Sequence, residues 1–182
     1  MPALSPALRQ KSHKGAESLR HQAYELIKRR IITLEFAPGE YLNESEVSKI
    51  LGIGRTPVHQ AMDRLMLEGM VEIIPRKGVI VKPVSLLEVM QIADVRLQNE
   101  VYCVHLAAER AGPALIAELE AVMARAPALV AAQDVEGLMD LDRDFHAAIS
   151  AAAGNQVLAE LLLTLHERSL RFWFISLSDP QH

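Results

Sequence analysis

Asp142 and His146 stand four residues apart in the stretch Asp142-Arg143-Asp144-Phe145-His146. On a helix that spacing puts both side chains on one face at adjacent turns, where a carboxylate oxygen and an imidazole nitrogen can grip one divalent metal. Two donors do not close a site, and an acid and a histidine at this spacing equally form a plain surface pair. A second set of chemistry-bearing residues lies nearer the N-terminus. Arg55, Thr56, His59, Gln60 and Arg64 project from one side of a short helical stretch, and Lys77-Gly78 ends a basic tip. Such donors and acceptors on one helix face suit base edges and phosphates.

The elements that must carry this second set are readable from local chemistry. Glu44 to Leu51 has Val47, Ile50 and Leu51 on one helical face, and Asn43 is able to cap its start. Gly52 ends it, because a residue without Cβ turns out of a helix cheaply, and Gly54 keeps the connection short. A second helix is expected from about Thr56, with Pro57 in its first turn and Val58, Ala61, Met62 and Leu65 on its buried side. After Gly69 the period changes. Met70 to Ile74 and Val79 to Val81 read as strands joined by Pro75-Arg76-Lys77-Gly78, with Tyr41-Leu42 as a short strand beside them. Two helices at a Gly-containing turn followed by a basic hairpin predict a winged helix-turn-helix, whose second helix enters the DNA major groove.

This segment is similar to the DNA-binding domain of the GntR family of bacterial transcription regulators. The residues that carry the resemblance are Pro38-Gly39-Glu40, Ser45-Glu46, Leu51-Gly52, Arg55-Thr56-Pro57-Val58, Arg64-Leu65, Glu68-Gly69 and Arg76-Lys77-Gly78. The resemblance implies that Ser45, Arg55, Thr56, His59 and Arg64 face the groove while Lys77 and Gly78 reach phosphate or the minor groove from the wing. Many members have Arg-Glu where this chain has His59-Gln60. Neutral imidazole offers one donor and one acceptor in place of a guanidinium fork, so the operator is expected to differ from the family's usual one.

The chain has 182 residues, half of them hydrophobic, with a net charge of −4. It suits one or two small, helix-rich domains. Residues 1–83 hold thirteen Lys or Arg against nine Asp or Glu, +4, whereas residues 84–182 hold six against fourteen, −8. A nucleic-acid-binding first domain with a differently employed second one fits that asymmetry. Apolar runs fall short of a bilayer span and no signal-peptide core opens the chain, so a cytoplasmic protein is expected. The single Cys103 belongs to a helical apolar pattern, which excludes a disulfide framework and a thiolate cluster.

The expected domains are a disordered tail over 1–16, the winged helix over 17–83 and an all-helical antiparallel bundle over 84–182. The first helix runs from Glu17 to Leu34, and its Lys28-Arg29-Arg30 run belongs either to the DNA backbone or to a solvated face. Ser85-Leu86-Leu87-Glu88 is a capping box opening a helix that runs to about Ala111, Pro127 should kink or break the Ala-rich stretch, Asp134 caps the next helix, and Gln156 to Leu177 is the last. His105, among Val101, Val104 and Ala108, reads as a core histidine, and His166 as a semi-exposed one. Arg168 and Arg171 read as solvated or paired.

In this second region Asp142 to His146, followed by Ala152-Ala153-Gly154-Asn155, resembles the FCD ligand-binding domain of FadR-type GntR regulators, as do Asp94-Val95-Arg96, Glu100 and Ala107-Ala108-Glu109-Arg110. The resemblance implies that Asp142 and His146 bind a metal, zinc or nickel in the family. It makes Arg96 the clamp for a small carboxylate effector, its planar fork suiting a bidentate pair; a buried helix–helix salt bridge is the other role open to Arg96. FCD domains continue with two further helices that bring two more His ligands, and the heavily apolar helix of Leu161, Leu162, Leu165 and Phe172-Trp173-Phe174 needs more partners than the chain provides, so a chain shortened at its C-terminus is expected, with an incomplete pocket and a dimer interface over that surface as the alternatives. The expected protein is a transcription regulator, a repressor, that binds a pseudo-palindromic double-stranded operator as a homodimer. A ligand-insensitive dimeric DNA-binding protein is the alternative. A metal-dependent enzyme is less well supported, because no positioned nucleophile, general base or phosphate loop accompanies Asp142 and His146.

Overall fold

A computed structural model describes residues 6–178 of the chain, with side chains from 19 to 176. The chain divides after Pro83 into two units, Met1–Pro83 and Val84–His182. No described helix is long and apolar enough to cross a membrane.

The first unit is built on helix α1 (Pro6–Ile32), which packs along α3 (Arg55–Leu67) through Ala23, Tyr24, Ile27 and Ile31 against Val58, Ala61, Met62 and Leu65. These apolar positions recur every three or four residues on both helices, so each offers one continuous stripe to the other. Helix α2 (Glu44–Leu51) packs on α3 and is capped as expected: the Asn43 Oδ1 accepts from the backbone N–H of Ser45 at 2.9 Å and of Glu46 at 3.4 Å. Gly52 closes α2 in the left-handed region at φ 63°, which a residue with Cβ adopts only under strain. Strands β1 (Tyr41–Leu42), β2 (Val71–Ile74) and β3 (Gly78–Val81) form an antiparallel sheet in the order β1-β3-β2, with Val71 opposite Val81 and Ile74 opposite Gly78. That register throws Arg76, Lys77 and Gly78 to the exposed hairpin tip.

The second unit is helical throughout: α4 (Leu86–Arg110), α5 (Pro113–Met123), α6 (Ala126–Ala131), α7 (Val135–Ala152) and α8 (Gln156–Ser178). Helices α4, α7 and α8 pack on one another around Cys103, Leu106, Ala107, Ala153, Leu158 and Leu162. Ser85 and Asp134 cap α4 and α7 through their side chains, and Pro127 falls in the first turn of α6, where its missing N–H costs nothing.

Four expectations change. Residues 6–16, expected as a tail, belong to α1, which opens with Pro6 and continues through good helix formers into the packed half of the helix; residues 1–5 lie outside the described ones. Lys28 is buried rather than facing DNA or solvent, its Nζ donating to the Tyr24 hydroxyl and Glu25. Ile50 points away from the interior at 55 % exposure, because α2 turns Val47 inward. His105 is exposed, since α4 presents Cys103, Leu106 and Ala107 to its neighbours and puts residue 105 on the opposite side.

Candidate functional site

On α3, Arg55, Thr56, His59 and Gln60 are exposed together along the face opposite the buried stripe. Ser45 lies half-buried in the first turn of α2. His59 is tied to that same helix: its Nδ1 is 2.8 Å from Glu44 Oε1, while Nε2 is 3.6 Å from Asp63 Oδ2. The hydrogen bond to Glu44, with the charge of Glu44 and then of Asp63, raises the imidazole pKa above its ordinary value. Arg64 borders this face from an anchored position. Its guanidinium carbon stands 3.6 Å from the centre of the Tyr24 ring and its Nε donates to Glu68 at 2.9 Å, while the Tyr24 hydroxyl donates to the other Glu68 oxygen at 2.8 Å. The α3 face and the basic hairpin tip thus present the donors that duplex DNA requires.

In the second unit the sequence-predicted pair is together on α7, with His146 Nε2 3.6 Å from Asp142 Oδ1. A third group faces them from α8: His166, expected to be semi-exposed, is buried because α8 turns it inward with Leu162 and Leu170. His166 is 4 % exposed, its Nε2 is 3.7 Å from Asp142 Oδ2, and its ring centre is 5.2 Å from that of His146. Neither His166 ring nitrogen has a hydrogen-bond partner. Burial, assisted by the charges of Arg96, His146 and Arg143, pushes its pKa down to about 3, so the ring is neutral and carries a free lone pair. Among the described residues, one donor atom from each of Asp142, His146 and His166 falls within 4.8 Å of the others. A carboxylate and two imidazoles are a donor set that fits zinc, nickel or another first-row divalent ion. The available signal was the stripe Leu158, Leu162, His166, Leu170, where a single histidine takes one place in an otherwise leucine seam of four-residue spacing and shares its burial.

Asp142 and His146 also line a cavity of about 350 Å³, with Arg96, Leu138, Met139, Leu170 and Trp173. Arg96, on α4, forms its ion pair within its own helix rather than between helices, and its contact to α8 is a hydrogen bond. It pairs with Glu100 through Nε at 2.7 Å and donates from Nη1 to Ser169 Oγ at 2.7 Å, yet its side chain borders the cavity. Those contacts hold the guanidinium in place beside the metal-type donors. A second cavity of about 220 Å³ lies on the other side of His146, bordered by Glu100, Arg143, Ser150, Glu160 and His166. Asp144 is turned away and pairs with Arg125 at 2.8 Å, and Arg168 pairs with Glu88.

Residues 19–81 match the model of the bacterial regulatory proteins, gntR family, and residues 91–182 match that of the FCD domain. The chain is 36 % identical over 135 residues to an uncharacterized HTH-type transcriptional regulator of Agrobacterium vitis, covering 72 % of this chain and 78 % of that protein. It is 30 % identical over 156 residues to the HTH-type transcriptional repressor GlaR of Escherichia coli, covering 84 % of this chain and 71 % of the repressor. Among solved structures it resembles E. coli McbR/YncC with a TM-score of 0.77 at 24 % identity, over 87 % of this chain and 76 % of the other. At that identity the likeness speaks for the fold.

Proposed function

The chain belongs to the gntR family of bacterial regulatory proteins and carries an FCD domain, and from that premise we propose that it is a metabolite-controlled repressor working in the cytoplasm. Members of the family are DNA-binding transcription regulators, not enzymes. In this reading residues 17–83 bind the operator, and residues 84–182 sense the effector and join two copies. Two-fold symmetry then makes the operator a pseudo-palindrome. Arg55 and Thr56, at the N-terminal end of the groove helix, contact base edges and phosphate; His59 reads from the middle of the same face; Ser45 and Arg64 flank it; Lys77 and Gly78 reach from the wing. The repressor named among the relatives supports the direction of control.

The observation that carries the sensing half is the cavity in which Asp142 and His146 converge beside Arg96. A divalent ion held by those donors would supply a fixed positive charge for a carboxylate. Arg96 would take the same carboxylate through the Nη1 and Nη2 hydrogens that its contacts to Glu100 and Ser169 leave over. The rest of the wall is Leu138, Met139, Leu170 and Trp173, so the effector is a small carboxylic acid with an apolar body. Binding changes transcription only if the acid prefers one of two arrangements that differ in DNA affinity.

Trp173 is the chain's one tryptophan and borders the cavity, which makes the proposal directly measurable. Zinc-loaded protein titrated with a panel of mono- and dicarboxylic acids of graded apolar bulk should give a saturable fluorescence change for at least one acid. Chelating the zinc or replacing Arg96 by Ala should abolish it. Unchanged fluorescence across the panel, with operator affinity equally unchanged, would leave a ligand-insensitive DNA-binding protein.

A further inference from the structure

Helix α3 carries a second polar row beside its groove face. Thr56, Gln60 and Arg64 follow one another at four-residue spacing and so stand in line on the helix. The last two border a cleft of about 220 Å³, lined by Gln60, Ala61 and Arg64 of α3 and by Arg20, His21 and Tyr24 of α1. Four of these side chains carry N–H donors and none is a carboxylate. The Tyr24 ring, 1 % exposed, stacks with His21 at 6.3 Å between ring centres and lies under the Arg64 guanidinium. Arg64 spends its Nε on Glu68, whereas its two Nη groups and the Gln60 amide donate to no described residue. The Tyr24 stack and the Glu68 pair account for Arg64 as packing, but not for the second cation and two further donors gathered beside it. Metabolite sites have mostly apolar walls, and here only Tyr24 and Ala61 supply any, so the chemistry is that of an oxyanion held at a polar surface.

Resting on the DNA-binding reading above, we infer that this cleft seats one phosphate of the duplex backbone at the edge of the groove that α3 enters, with charge from Arg20 and Arg64 and further N–H donors from His21 and Gln60. A helix with its side chains is about 10–12 Å across and the major groove about 12 Å wide, so α3 fills the groove. Helix α1, packed along α3, cannot follow it in and stands over the sugar–phosphate chain at the rim. The cleft opens beside Gln60, which is exposed together with His59, so its mouth lies where base edges give way to backbone. Arg64 donates from a guanidinium already held by Tyr24 and Glu68, and little side-chain freedom is lost on binding. Helix α1 thereby joins the DNA contacts, and its contribution sets affinity and position on the duplex without reading sequence.

The test uses the full chain and the duplex it selects from a random pool. Arg20→Gln should lower the slope of log affinity against log salt by about one per chain, and should weaken selected and random duplex by the same factor, with the melting temperature as the control for folding. Arg30→Gln removes the same charge from the other end of α1, where Arg30 pairs with Glu35, and should leave the slope unchanged. Operator duplexes with a single uncharged methylphosphonate should reveal one position per half-site at which the wild type loses affinity, Gln60→Ala loses less and Arg20→Gln loses nothing further. Equal slopes for wild type and Arg20→Gln, or equal losses in Arg20→Gln and Arg30→Gln, would overturn the inference and leave α3 and the wing as the DNA contacts. A loss in Arg20→Gln with no such position would assign the cleft to a free anion and overturn it as well. A wild-type chain that binds no duplex would overturn the DNA-binding reading and the inference together.

Discussion

His59 Nδ1 lies 2.8 Å from Glu44 Oε1, a contact that joins the groove helix α3 to the start of α2. The tie fixes the imidazole against rotation and leaves Nε2 near Asp63 and the exposed face. Because the folded pKa is raised, the protonated ring is favoured by folding. The Glu44 contact is at full strength below the ordinary histidine value of 6.5 and is lost as pH rises through the higher folded value. Operator affinity should fall over the same rise if the imidazolium donates to DNA. An NMR titration of the His59 ring checks the shift, and Glu44→Gln should return it towards 6.5. A His59 titration indifferent to that substitution would separate the two residues in solution.

Arg55→Ala should weaken binding to the specific operator by about 1–3 kcal/mol while leaving affinity for random duplex nearly unchanged. Lys77→Ala should weaken both alike and flatten the salt dependence. Fluorescence anisotropy at several salt concentrations distinguishes the two patterns, and equal effects on both kinds of DNA would move Arg55 from base reading to phosphate contact.

Arg64 is expected to act on stability as well as on DNA. Removing it takes away the stack on Tyr24 and the pair with Glu68, together about 1 kcal/mol in a half-exposed setting. Urea denaturation of Arg64→Ala should show that loss in the absence of DNA. Full stability with weakened DNA binding would instead make Arg64 a pure DNA contact.

Gly52→Ala should destabilise the first unit by about 1 kcal/mol through backbone strain alone, because φ is 63° and nothing lies within 4 Å of the added carbon. Gly52→Asn should cost less, since Asn tolerates this region. Equal melting temperatures for glycine and alanine would mean that the turn relaxes.

Much of the first unit was readable because its signals are local. Asn43, Gly52, Pro57 and the alternation around Arg76-Lys77-Gly78 each act on the backbone beside them: α2 begins after Asn43 and ends at Gly52, Pro57 lies in the first turn of α3, and the hairpin turns at 75–77. Helix rotation was harder to read. Ile50 and His105 were assigned to a side by periodicity and Lys28 by its place in a charge run, and which side is buried depends on the neighbouring helix. The candidate site divides in the same way. Asp142 and His146 share one helix and were found by spacing, whereas His166 reaches them from α8 across a turn at Gly154-Asn155, a relation no spacing rule contains. Arg96 was named through the FCD resemblance, and its pair with Glu100 follows from their spacing on α4, but its hydrogen bond to Ser169 needed the packing of α4 on α8.

Recognition of a defined DNA sequence is the claim on which the regulatory account depends, and selection of bound duplexes from a random pool at fixed physiological salt tests it most directly. The account predicts one short pseudo-palindromic consensus, with base preferences lost in Arg55→Ala. Salt-sensitive binding with no consensus would contradict it.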